Sequence, residues 1–110
     1  MSSLKFLRNV ELKPEEILLV ESDINYSQIF LSNGRKIIIA KTLKQISEIV
    51  KNSPFVRINR QVLINIGHVK NYEMETSPQN VTLSNGRKID FSRRRSEAAK
   101  TLIEKFITIK

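Results

Sequence analysis

A mainly β fold, built from short antiparallel strands with one inserted and one terminal helix, is what this 110-residue sequence predicts. Three observations carry that prediction. Short apolar runs rich in branched residues recur along the chain, each about one strand long and bounded by turn-forming residues. The dipeptide Asn-Gly occurs twice, once in each copy of a heptapeptide, Leu31-Ser32-Asn33-Gly34-Arg35-Lys36-Ile37, that is repeated letter for letter as Leu83 to Ile89. Only two stretches change to the three- and four-residue spacing of a helix.

Taken in order, Pro14 and the pair Glu15-Glu16 form a turn before Ile17 to Ser22, a branched apolar run that reads as a buried strand. Asp23-Ile24 is a tight connection. Asn25 to Leu31 alternates, with Tyr26, Gln28 and Phe30 on one face and Ser27, Ile29 and Leu31 on the other. Asn33-Gly34 predicts a type I′ hairpin turn, and Arg35 to Ala40 is the return strand. Thr42 to Asn52 carries Leu43, Ile46, Ile49 and Val50 on one stripe, which predicts a helix capped by Thr42 and ended by Ser53-Pro54. Phe55–Ile58 and Val62–Ile66 are two strands around Asn59-Arg60-Gln61, and Val69 to Met74 is another. Thr76-Ser77-Pro78 is a loop. Asn80–Ser84 and Arg87–Phe91 flank the second Asn-Gly turn. Ser96 to Ile107 is a second helix, with Ala99, Leu102, Ile103 and Phe106 as its apolar stripe. The sequences flanking the repeated heptapeptide do not match, which favours convergence on a good hairpin over duplication.

No linker or low-complexity tract divides the chain, so one domain spanning residues 1–110 is expected. Cysteine is absent, which agrees with a reducing cytoplasm and removes disulfides and thiolate metal sites. There is no apolar run of signal-peptide or membrane-spanning length. The charge is informative: 19 Lys and Arg against 11 Asp and Glu give a net +8 and a pI near 10.1. The excess is clustered, since Arg87 to Lys100 holds six cations against Asp90 and Glu97. A clustered basic surface suits a polyanion better than general solubility does.

Catalytic and cofactor chemistry find no support. There is no P-loop, no G-x-G-x-x-G and no nucleophile–base spacing of known type. The single histidine, His68, cannot build a metal site alone and reads as structural or partly exposed. No cofactor, small-molecule substrate or membrane partner is expected. Asn25-Tyr26-Ser27 and Asn80-Val81-Thr82 match the glycosylation pattern, but without a secretion signal they read as chance matches.

The segment from Phe55 to Val69 looks fit for a core, yet Arg57, Asn59 and Arg60 interrupt it. With its neighbours, it resembles LytTR-type DNA-binding domains, the output modules of many bacterial response regulators. The matching pieces are Ile17-Leu18-Leu19-Val20-Glu21-Ser22, Asn25-Tyr26, Asn33-Gly34, Thr42-Leu43, Phe55-Val56-Arg57-Ile58-Asn59-Arg60, Leu63-Ile64-Asn65, His68-Val69, Leu83-Ser84-Asn85-Gly86 and Ser92-Arg93-Arg94. They run in order from about Glu11 to Arg95. The resemblance implies stacked antiparallel sheets in an elongated domain whose loops at one edge enter the DNA major groove. It also implies binding to direct repeats, often as a homodimer or side-by-side pair, with bending of the DNA. By the same resemblance, one contact falls near Tyr26-Ser27-Gln28, a second at Arg60, and a third in Ser92-Arg93-Arg94, with Arg94 favoured. Asn59 and Gln61 stand where the family often has His and Ser, so the preferred base sequence does not transfer. The receiver domain that usually precedes this module is absent. A complete small protein and one domain of a longer regulator are both open readings, and Met1 and that absence favour the first.

Arg60 and Arg94 can each offer a forked donor pair to guanine, and Asn59 can bond adenine bidentately or instead bond its own turn. Arg57 can reach a phosphate or pair with an acid such as Glu21. Arg93, Arg95, Lys88 and Arg87 read as phosphate contacts, which add affinity without reading sequence. The expected function is therefore sequence-specific binding of double-stranded DNA by a cytoplasmic transcriptional regulator, not catalysis. An RNA-binding module is a rival, although most of the five Phe and two Tyr suit core positions and leave few for base stacking. A protein-interaction module on the same fold is another.

Overall fold

The computed structural model describes residues 3–73, 75 and 79–109, with side chains placed through Phe106. The chain opens with a hairpin that the sequence reading did not resolve. Strands β1 (Leu4–Leu7) and β2 (Val10–Leu12) pair antiparallel with an irregularity between Lys5 and Leu7. They deliver Phe6, 2% exposed, into the core. A single 3-10 turn at Pro14–Glu16 follows.

Strands β3 (Ile17–Ser22), β4 (Ser27–Leu31) and β5 (Lys36–Ile39) precede helix α1 (Leu43–Ile49), and β6 (Phe55–Arg57) and β7 (Val62–Asn65) follow it. The five strands form one antiparallel sheet in the order β5-β4-β3-β7-β6. β3 is its centre. Val20, with Ile29 and Leu63, packs toward α1 and the N-terminal hairpin, whereas Leu19 and Ile64 belong to the core on the other face. A central strand covered on both faces must be apolar at successive positions, which is why Ile17 to Val20 is a continuous run.

The second core is closed by β8 (Val69–Glu73), β9 (Asn80–Leu83), β10 (Lys88–Asp90) and helix α2 (Ser96–Ile109). The three strands form an antiparallel sheet in the order β10-β9-β8. Their Val81, Leu83 and Ile89 meet Leu19 and Ile64 of the large sheet and Ala99 and Ile103 of α2. The result is the expected mainly β architecture of stacked sheets, with extents of 42 × 32 × 24 Å. Met74 and the loop Thr76-Ser77-Pro78 lie outside the described residues.

Local chemistry explains the element ends. Thr42 caps α1 reciprocally: its Oγ1 accepts from Gln45 N at 3.1 Å, and Gln45 Oε1 accepts from Thr42 N at 2.8 Å. The helix stops at Ile49, earlier than the predicted Asn52, and Ser53 N bonds Val50 O at 2.9 Å in the turn that follows. Pro54 disfavours helical backbone at Ser53 and so shortens the element. Asn65, 2% exposed, donates through Nδ2 to Pro14 O and Ile17 O, both at 2.9 Å, and accepts from Gly67 N at 2.9 Å. It thus ties the start of β3 to the end of β7.

The two Asn-Gly turns depart from the predicted type I′ geometry. Among described residues, only Gly34 (φ +90°) and Gly86 (φ +88°) have positive φ, so Asn33 and Asn85 do not. In each turn the glycine N bonds back three residues, to Leu31 O at 3.1 Å and to Leu83 O at 2.8 Å. The asparagine instead accepts through Oδ1 from Arg35 N at 2.9 Å or Arg87 N at 3.0 Å. These are three-residue loops with glycine in the left-handed position, and the asparagine serves through its side chain.

Candidate nucleic-acid interface

Three turns converge at one end of the stacked sheets: 23–26 between β3 and β4, 58–61 between β6 and β7, and 91–95 between β10 and α2. Backbone bonds lock them together. Ser22 N donates to Gln61 O at 2.8 Å, and Ser92 N donates to Ile58 O at 2.8 Å. The Asn59 side chain adds a third tie, from Nδ2 to Asp90 O at 2.9 Å.

The first turn is closed by Asp23 N donating to Tyr26 O at 2.7 Å and by Ile24 N donating to Asp23 Oδ1 at 2.8 Å. Tyr26 is 40% exposed there. Ser27 requires a correction. It is fully buried at the start of β4, and its hydroxyl donates to Lys41 O at 2.7 Å, so it is a structural bond and not a surface contact. Gln28 is a half-buried strand residue, opposite Glu21 on one side and Ile38 on the other.

In the second turn, Asn59 also accepts from Gln61 N at 2.8 Å. Both ends of its amide therefore shape the turn, and bidentate pairing with adenine would have to compete with those bonds. Arg57 donates through Nη2 to Arg60 O at 2.7 Å, beneath the turn, while its Nε is enclosed without a partner. Burial, followed by the charges of Arg95 and Arg60, pushes the Arg57 guanidinium below its ordinary value. Arg60 itself is exposed. The acid considered for Arg57, Glu21, pairs instead with Arg87 at 2.9 Å, and the Arg87 guanidinium lies 5.2 Å from the centre of the Phe30 ring. Arg87 is thus paired with an acid and held against the Phe30 ring.

In the third turn, Arg93 and Arg94 are exposed and Arg95 is half-buried. Arg95 N bonds Ser92 O at 3.1 Å and Ser92 Oγ at 3.2 Å, which fixes the entry into α2. Lys88 is exposed on β10, on the same face as Asp90. Among the described residues the ion pairs are Lys51–Glu48 and Arg87–Glu21, so none of Arg57, Arg60, Arg93, Arg94 and Arg95 is neutralised by an acid. An open polar recess lined by Ser22, Asp23, Ile24, Arg57, Arg60 and Gln61 joins the first two turns. A second recess, sharing Ser22 to Ile24 and Arg57, reaches Tyr26, Thr42 and Lys44.

Two features escaped the sequence reading. Arg57 supports the backbone of the turn that displays Arg60, and its signal, an arginine inside an apolar strand, was visible but ambiguous. Ile24 projects from the first turn, and nothing local distinguishes it from a core residue. His68 is structural as expected: Nε2 donates to Glu15 O at 2.8 Å, which leaves Nδ1 to accept from the Ser84 hydroxyl at 3.1 Å. Among described residues no three metal-ligating side chains gather, and no helix is long and apolar enough to cross a membrane.

A search of curated proteins finds no match. Among solved structures, the fold is similar to one from Bacillus cereus described as the LytTr DNA-binding domain of a methyl-accepting/DNA response regulator. The TM-score is 0.75 at 16% identity, covering 92% of this chain and 94% of that one. The family model for the LytTr DNA-binding domain matches residues 8–104. With nearly its whole length matched, the chain belongs to the LytTR family of DNA-binding domains.

Proposed function

We propose that this domain regulates transcription by binding a specific double-stranded DNA sequence, reading the major groove with side chains carried on its three clustered turns. The observation that carries this reading is the convergence of Arg57, Arg60, Arg93, Arg94 and Arg95 at one end of the fold with no acidic partner among the described residues. Unneutralised guanidinium groups gathered at one edge are suited to phosphates and to guanine O6 and N7. Arg60 and Arg94, both exposed, are the base readers in this scheme. Arg93, Arg95 and Lys88 contact phosphates, and Tyr26 and Gln28 flank the groove. Asn59 holds the second turn in register through its two backbone bonds.

Binding is to direct repeats, with two copies of the domain side by side in the cytoplasm. The test is selection from a random duplex pool with single-stranded RNA as competitor. Enrichment of a motif repeated near one helical turn supports the proposal. Binding without enrichment, abolished by RNA, refutes it.

A further inference from the structure

Ile24 is 91% exposed, whereas the next most exposed large apolar side chain among the described residues, Ile38, is 56% exposed and lies on β5. Ile24 also borders both recesses at the basic end of the fold, between Arg57, Arg60 and Gln61 on one side and Tyr26, Thr42 and Lys44 on the other. We infer that Ile24 is a specificity-determining contact, packing against the C5-methyl group of a thymine in the major groove. This rests on the DNA-binding mode proposed above and adds a base preference to it.

Three physical points support the assignment. The turn is rigid. Ser22 N is held by Gln61 O at 2.8 Å, Asp23 N by Tyr26 O at 2.7 Å, and the Ser27 hydroxyl by Lys41 O at 2.7 Å. A β-branched side chain on such a turn has few rotamers to lose on contact. The ligand chemistry is also narrow, because an aliphatic side chain cannot bond a phosphate and the thymine methyl is the apolar group on the major-groove edge. Finally, the Asp23 carboxylate beside Ile24 repels a backbone phosphate, so the tip of this turn is better placed toward base edges.

The test uses the full chain and a duplex that it selects. Each thymine in turn is replaced by deoxyuridine, which removes only the methyl group. The wild type should lose roughly threefold to tenfold in affinity at one position, as expected for one buried methyl. Ile24→Ala should bind the thymine and deoxyuridine duplexes equally at that position, and Ile24→Val should discriminate to an intermediate degree. Since the side chain is exposed, thermal melts of both variants should match the wild type. A flat scan on a selected duplex, a selected motif without thymine, or Ile24→Ala with undiminished discrimination overturns the inference alone. Failure to select any duplex overturns the broader DNA reading together with it.

Discussion

Replacing Arg60 by alanine separates base readout from phosphate clamping. The side chain is exposed, and its turn is held by the Arg57 Nη2 bond to the Arg60 carbonyl at 2.7 Å and by the two Asn59 bonds, all of which truncation leaves intact. Stability should therefore change by no more than about 0.5 kcal/mol. Binding should change in a particular way. A guanidinium fork on guanine contributes about 1–3 kcal/mol of discrimination at one base pair, so roughly 5- to 150-fold of preference should vanish there and little elsewhere. The salt dependence supplies an independent reading. Each neutralised phosphate contributes about −0.9 to the slope of log K against log salt. Arg60→Ala should leave that slope nearly unchanged, whereas Arg93→Ala should make it shallower by about 0.9 and weaken all sequences alike. Fluorescence anisotropy on the selected duplex and its single-base variants, across several salt concentrations, measures both quantities. Uniform weakening by Arg60→Ala, with a shallower slope, would refute its assignment to base readout and place it among the phosphate contacts.

Asn65→Ala removes three hydrogen bonds at a buried site and takes the Asn65 amide from Gly67 N and the Ile17 carbonyl, while Pro14 O keeps its bond from Ile17 N, so a loss of about 2–4 kcal/mol is expected in urea denaturation. A smaller loss would mean that water replaces the amide. Gly34→Ala and Gly86→Ala meet no atom within 4 Å, so each should cost only the left-handed backbone penalty, about 1–2 kcal/mol by thermal unfolding. Thr42→Ala, which loses the cap of α1, should cost about 1 kcal/mol in the same assay while leaving DNA affinity unchanged. Asn59→Ala frees the second turn from Asp90 and Gln61, and anisotropy should show weaker binding to every sequence, not a changed preference at one base. A loss confined to adenine at one position would restore Asn59 as a base reader.

Much of this architecture depends on local chemistry and is legible in the chain itself. The strand runs, the Thr42 cap, the glycine positions of both hairpins and the buried Ala99 and Ile103 of α2 follow from residue type and period, because sterics and capping act over a few residues, whereas Leu102, expected on the same stripe, is exposed. The N-terminal hairpin was missed because strands of four and three residues are too short for a period to register. Tertiary pairing decided the rest. Tyr26 and Ser27 are adjacent in sequence, yet one is exposed and the other buried, because β4 begins between them and the Lys41 carbonyl waits beneath Ser27. Arg87 and Arg93 are chemically alike, but only the sheet stacking brings Arg87 to Glu21, 66 residues away. The gathering of three turns from distant parts of the chain at one edge depends on the pairing of β3 with β7 and on the stacking of the two sheets, long-range contacts that no local pattern encodes.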